Sequence, residues 1–292
     1  MIAVPPIDCT ASGVLVSTNA VNLAAYAAGT TYAADATISY ANRNWISVQA
    51  GNIGHTPGTD ILWWVDNGPV NTLAMFDTSV QTATTREGGL TFILAPGRVT
   101  AIGFMDLVGQ TITIIITVGA TTIFTETRTL ARSDGTYYGF VFEEPLQTRE
   151  VAFYGLPSAP TARITVTITG SGTTACGLCV VGKQFAVGNA QYGFSVPIED
   201  RGRHYLDSLS NPVNVERGYS KGSSGTIVTD RQNLNRMVGF FSDQIGVPLL
   251  WIAAPGQNDL VSATVFGRFV RAVPVISSFD EVTIALEIAG YR

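Results

Sequence analysis

Charged side chains are scarce in this chain. Only 13% of its 292 residues are Asp, Glu, Lys or Arg, about half the share of an ordinary soluble domain. The 17 basic residues are outnumbered by 22 acidic ones, for a formal net charge of −5. Neutralising phosphates takes an excess of Lys and Arg, so nucleic acid is not an expected partner. Long hydrophobic runs are missing too, although 46% of the residues are hydrophobic and mean hydropathy is +0.25. Stretches such as Ile112–Val118 are interrupted by threonine and end at glycine. They fall well short of the roughly 20 apolar residues of a membrane-spanning helix. The start, MIAVPPIDCTASG, has no basic segment and carries Pro5 and Pro6. Neither a signal peptide nor membrane insertion is therefore expected.

Cysteine is limited to Cys9, Cys176 and Cys179. An odd, sparse set suits a reducing compartment and excludes a disulfide framework. Cys176-Gly-Leu-Cys179 has the spacing of a redox or zinc pair, but no second such pair completes a four-ligand site. Its surroundings, ACGLCVVG, read instead as a buried strand with the thiols as small core hydrophobes. Histidine is limited to His55 and His204, too few and too distant in sequence for a clustered metal site. The chain lacks a GxSxG elbow and both common phosphate-loop patterns. The adjacent carboxylates Glu143-Glu144, Glu199-Asp200 and Asp280-Glu281 would point to opposite strand faces. None makes the inward-facing pair that a glycosidase needs. No enzyme, no cofactor and no metal are expected.

What the chain does have is β pattern, in abundance. TITIIITV sets Ile112, Ile114, Ile116 and Val118 on one face against threonines, and RITVTIT does the same with Ile164, Val166 and Ile168. Such period-2 alternation marks half-buried antiparallel strands. Turn signals at Pro96-Gly97, Asp134-Gly135, Pro157 and Gly170-Ser171-Gly172 separate them at the spacing of a sandwich or jelly roll. The fold class is mainly β, in four segments. Residues 1–20 are an entry segment, and 21–70 a small β module ending in a hinge at Gly68, Pro69 and Asn71. Residues 74–188 form an antiparallel, jelly-roll-like β-sandwich, and 189–292 a C-terminal α+β docking unit. In that last unit Asp230 is placed to cap a helix whose Leu234, Met237, Val238, Phe241 and Ile245 share one face, with Gly246 and Pro248 ending it. PLLWIAA follows as a buried strand, and VTIALEIAG turns Val282, Ile284, Leu286 and Ile288 inward.

The stretch from Tyr26 to Trp64 is dense in aromatics and glycine. Tyr26, Gly29 and Tyr32 open it, Tyr40 and Trp45 follow, Gly54 and Pro57 form a loop, and Trp63-Trp64 closes it. In this order the segment resembles the small chitin-binding modules of carbohydrate-binding families 5 and 12. Many chitin binders carry an exposed aromatic pair just before the Gly-x-x-Pro loop. This chain reads VQAGNIGHTP there, with no aromatic. Its remaining aromatics are expected mainly to build a core without disulfides, with Tyr40, Trp45 and Trp64 as the residues that could stack on a sugar.

A wider resemblance spans LPSAPTARITVTITGSGTTACGLCVVG, YGFSVPIEDRGR and the α+β tail. These segments are similar to tail proteins of tailed phages and prophages. The resemblance implies a non-enzymatic virion subunit of the tail tip, baseplate or fibre-attachment region, assembled in the bacterial host cytoplasm. It implies a homo-oligomer, a trimer or hexamer, in contact with other tail proteins and with host-surface polysaccharide as a further partner. An adhesin devoted to glycan recognition is the alternative. Arg201, Arg203, Arg217, Arg231 and Arg236 could then supply forked docking contacts, or merely solvate the surface. In TYYGF, Tyr137 and Tyr138 would lie on opposite faces of a strand, which leaves Tyr138 as a fourth sugar-contacting candidate.

Overall fold

The computed structural model describes residues 1–132, 137–142, 146–215, 219–256 and 263–291. The chain is mainly β, with 51% of residues in strands and 7% in helix. The strands β1 (Ile2–Val4) and β2 (Leu15–Thr18) come first. The small module follows with β3 (Thr37–Tyr40), β4 (Arg43–Ser47) and β5 (Trp64–Pro69). Then come β6 (Thr84–Glu87), β7 (Leu90–Leu94), β8 (Ala101–Val108), β9 (Thr111–Val118) and β10 (Thr121–Thr129). A short excursion holds β11 (Ala131–Arg132), α1 (Tyr137–Phe142) and β12 (Leu146–Gln147). After it run β13 (Val151–Tyr154), β14 (Ala162–Thr169), β15 (Thr173–Gly182), β16 (Phe185–Ala186) and β17 (Asn189–Ala190). The last part has β18 (Ile198–Asp200), β19 (Arg203–Leu206), β20 (Pro212–Val215), β21 (Tyr219–Lys221) and β22 (Ser223–Asp230). It closes with α2 (Leu234–Asp243), β23 (Leu249–Ile252), β24 (Thr264–Ile276) and β25 (Glu281–Gly290).

Two antiparallel sheets make a jelly roll. Their orders are β10-β9-β14-β7-β2 and β13-β8-β15-β6. The eight strands β6–β10 and β13–β15 thus pass between the two sheets as in a jelly roll, with β9 and β10 adjacent in one of them, and β2 extends one edge. In the first sheet Ile112, Ile114 and Ile116 of β9 pair with Ile168, Val166 and Ile164 of β14. All six are at most 1% exposed, while Thr111 and Thr113 bond Thr169 and Thr127 across the outer face at 2.6 and 2.9 Å. The alternation in the sequence thus becomes one dry face and one wet face.

The second sheet is buried on both faces through most of β8, β13 and β15, while its edge strand β6 is exposed. From β8, Ile102, Phe104 and Leu107 enter the jelly-roll core, as do Cys176, Cys179 and Val181 from β15. On the other side, Ala101, Met105, Ala152, Leu178 and Val180 meet Ile2, Val4, Leu250, Ile252 and Phe266 of a third sheet. That sheet has seven strands in the order β16-β1-β23-β24-β25-β22-β17. Its far face holds Trp251, Val265, Val282, Ile284, Leu286 and Ile288 against Met237 and Phe241 of α2. The molecule is therefore layered sheet, sheet, sheet, helix. A sheet covered on both faces has no use for polar alternation, which is why β15 and β23 read as unbroken apolar runs. Lys221 and Glu150 form a 3.1 Å ion pair at this inter-sheet boundary, with side chains 14% and 21% exposed.

Several boundaries differ from the sequence reading. The first 20 residues are divided, β1 lying between β16 and β23 and β2 extending the jelly roll. The helix begins at Leu234, after a single 3-10 turn at Arg231–Asn233, and Asp230 makes no side-chain cap. Met237 and Phe241 are buried, but Val238 within the helix is 46% exposed, and Ile245 is 73% exposed because the helix ends at Asp243 before it. Asp134-Gly135 and Glu143-Glu144 lie outside the described residues.

The hinge at the end of the small module is instead a clip. Gly68 and Pro69 belong to β5, with Gly68 at φ +87. Asn71 Nδ2 donates to the carbonyls of Val21 (3.0 Å) and Thr85 (2.9 Å), and its Oδ1 accepts the Thr85 N–H at 2.8 Å. Beside it, Asn22 Oδ1 accepts the Thr72 N–H at 2.9 Å, and Asn22 Nδ2 donates to Thr72 Oγ1 at 3.1 Å. The two connections to the module are thereby tied to each other.

Candidate functional site

The small module is a three-stranded sheet, β3-β4-β5, with two dissimilar faces. Trp64 lies on the inner one, 2% exposed. Its ring meets Tyr32 at 5.3 Å and Tyr26 at 6.1 Å, both edge-on. Its Nε1 donates to the His55 carbonyl at 2.8 Å. Trp64 is thus the core of the module and has no face left for a sugar, contrary to its place among the stacking candidates. Tyr40 is 39% exposed and packs edge-on against Tyr26 at 5.6 Å. Trp45 is half-buried and donates from Nε1 to the Tyr40 carbonyl at 3.2 Å.

Trp63 lies in the turn just before β5 and is half-buried, next to the buried Trp64. The His55 ring stacks on Trp63 at 4.0 Å with an interplanar angle of 9°. Asn52, fully buried, donates to Ser47 Oγ (2.9 Å) and to the Trp63 carbonyl (3.3 Å). It fastens the loop carrying His55 to the sheet. Val48, whose N–H reaches the Trp63 carbonyl at 3.0 Å, is 50% exposed. Ile53, Ile61, Leu62 and Val65 are 50%, 78%, 76% and 54% exposed. The module thus carries a stacked His55–Trp63 ring pair and several exposed aliphatic groups. Sequence reasoning placed Trp63 in the motif but not among the site residues. The adjacent Trp pair was the signal that could have found it.

Tyr138 is elsewhere, in the jelly roll's excursion. YYGFVF forms helix α1 rather than a strand, and Tyr137 and Tyr138 are both exposed, at 83% and 64%. The Tyr138 ring lies 5.0 Å from Phe142, one turn along, where helical spacing brings i and i+4 together. The structure does not bring Tyr138 to Tyr40 and Trp45 within one sheet.

The arginines of the C-terminal unit are exposed but engaged within the chain. Arg201 bonds Ser220 Oγ (2.9 Å) and Glu199 (3.1 Å). Arg203 lies 5.1 Å over the Tyr205 ring, and Arg236 lies 4.5 Å over Phe185. Phe185 itself stacks on Phe240 at 3.9 Å. Arg231 lies 5.6 Å over Phe279. Arg217 lies outside the described residues.

The titratable groups offer one coupled pair. His204 Nε2 is 2.8 Å from Asp200 Oδ2, and Nδ1 is 3.0 Å from Asn214 Oδ1. The bond to Asn214, then the bond to and charge of Asp200, raise the His204 pKa above its ordinary 6.5. Asp200 is lowered, first by the Gly202 N–H and then by His204. A raised histidine stabilises the fold below its unfolded pKa and loses that contribution as pH rises through the folded one. A lowered aspartate contributes above its unfolded pKa and loses its part as pH falls through the folded one. Both contributions are thus complete between about pH 4 and 6.5. In a His55→Gln background, the remaining histidine should titrate by NMR above 6.5, and Asp200→Asn should bring it down. An unmoved midpoint would remove Asp200 as a cause.

Burial pushes the Cys9 thiol up to about 12 and raises Cys176 and Cys179 as well. All three are free and buried in the jelly-roll core, as the ACGLCVVG strand reading expected for the CxxC pair. No group of three His, Cys, Asp or Glu side chains that could hold a metal ion occurs among the described residues. No protein-family model matches this chain, and no curated protein matches it.

Proposed function

We propose that the chain is a non-enzymatic structural subunit of a bacteriophage tail, in the tip, baseplate or fibre-attachment region, with its small module turned outward. The observation that carries this reading is the set of exposed apolar side chains in the small module, Val48, Ile53, Ile61, Leu62 and Val65, all at least half exposed, together with the His55–Trp63 stack. So many exposed apolar groups in one small unit suit a place where something else binds. The sparse charge over the whole chain supports a surface that neighbours cover. The layered sheets suit a rigid mount for such a module. In the virion the subunit forms a trimer or hexamer and contacts other tail proteins.

Light scattering on the purified chain at several concentrations tests the assembly part. A discrete trimer or hexamer is expected. A monomer at every concentration would overturn it.

The second reading, an adhesin for host-surface glycan, is favoured by the flat His55–Trp63 surface, since planar aromatic groups give large contact area at low entropy cost. On a glycan array, Trp63→Ala should abolish binding and Trp45→Ala weaken it. Binding that ignores both substitutions would rule out the module as the receptor-facing part.

A further inference from the structure

On the C-terminal unit, far along the chain from the small module, the turn between β24 and β25 presents Phe279 at 83% exposure. An exposed phenylalanine on a loose loop would mean little. This turn is fixed by many bonds. The N–H groups of Ser277 and Ser278 donate to the Glu281 carbonyl at 3.1 and 3.2 Å. Those of Asp280 and Glu281 donate to Ser278 Oγ at 3.3 and 3.1 Å. From the neighbouring 3-10 turn, the Arg231 N–H donates to the Asp280 carbonyl at 2.8 Å, and Arg231 Nη1 donates to the Phe279 carbonyl at 3.3 Å. The backbone that carries the ring is thus held at a set position, with its ordering cost met before any ligand arrives, and the Arg231 guanidinium lies 5.6 Å over the ring.

Phe279 borders an open groove of about 570 Å³ whose other walls are Asp230, Arg231, Gln232, Asn235 and Asp280. Apart from the ring, every side chain there is a planar amide, carboxylate or guanidinium, each able to make two hydrogen bonds in one plane. Neighbouring hydroxyls on a sugar ring present donors and acceptors at a spacing that such groups match, while the C–H face of the ring covers an aromatic. Two carboxylates against one guanidinium disfavour an anionic ligand. The groove has too little aliphatic wall to seat an apolar peptide.

From this arrangement we infer that the groove between the β24–β25 turn and the start of α2 is a binding site for a neutral pyranose, with Phe279 as the stacking platform. The walls supply the hydroxyl contacts, Gln232 and Asn235 as amides, Asp230 and Asp280 as acceptors. This site is separate from the His55–Trp63 face and does not depend on it.

Saturation-transfer NMR on the full chain tests the site, with the methyl α-glycosides of glucose, galactose and mannose as probes. Transfer to the ring protons of at least one is expected. Phe279→Ala should weaken that binding about tenfold without lowering the melting temperature, because the ring is exposed. Asn235→Ala should weaken it through lost hydrogen bonds, and Trp63→Ala should leave it unchanged. No transfer from any of the three would overturn the proposal, and so would transfer left undiminished by Phe279→Ala. Transfer lost in Trp63→Ala alone would move sugar binding to the small module. A change in particle mass on Phe279→Ala, with sugar signals intact, would make the ring a contact between copies and overturn the site.

Discussion

Trp64→Ala is expected to unfold the small module and leave the jelly roll standing. The indole is the largest buried group in its sheet, touches Tyr26 and Tyr32, and holds the His55 carbonyl. Truncating a buried Trp costs about 3–5 kcal/mol. A three-stranded unit of this size has little stability in reserve. The jelly-roll core contains no residue of the module between Val21 and Pro69, so its own melting transition should persist. Hydrogen exchange checks both halves of the expectation. Protection should vanish across residues 37–69 and remain in β8, β9, β14 and β15. Full protection of β3–β5 in the variant would show that Trp64 is not the element holding the module together. The same variant removes the His55–Trp63 face without touching Phe279, which makes it a useful reagent for separating the two surfaces.

The second large effect is expected where the second and third sheets meet. A Cβ placed on Gly103 would lie 2.1 Å from Leu250 Cδ2, and Leu250 is fully buried. Gly103 is therefore the hole into which the Leu250 knob fits. Gly103→Val should destabilise by about 1–3 kcal/mol through overpacking, and Leu250→Ala by about 2–5 kcal/mol through the cavity it leaves. The informative variant combines the two. A valine side chain would occupy part of the space the leucine vacated, so the double variant should lose less than the sum of the singles. Denaturant melts of the four proteins give the coupling directly. Strict additivity would mean that the sheets meet without this interlock.

What could be read from the sequence divides along the same layers. The outer jelly-roll sheet was legible because water on one face forces threonine between isoleucines, as in β9 and β14. The same logic served β25, where Val282, Ile284, Leu286 and Ile288 are all at most 3% exposed. The inner sheets could be recognised only as buried strands. A run such as LLWI says that both faces are dry without saying what covers them. The place of β1 beside β23 was beyond reach, since Ile2 pairs with Ile252 and no local pattern encodes a contact of that span.

At the candidate site, strand period does not reach Trp63, which lies in the turn before β5. YYGFVF is helical, its aromatic β-propensity overridden by a turn in which Tyr138 meets Phe142. The Phe279 turn carries serines and an aspartate that suit turns, but the groove beside it depends on β22 and α2 arriving from elsewhere in the chain.

The paired asparagine clip sets how the small module is attached. Residues 21–70 leave and rejoin the jelly roll at one point, where Asn22 holds Thr72 and Asn71 holds both Val21 and Thr85. A pull on the module therefore divides between two strands of chain anchored side by side, rather than unravelling one. The same junction is a natural graft point. Because its ends are already adjacent, the module can be exchanged for another of unrelated sequence without asking the three-sheet scaffold to move.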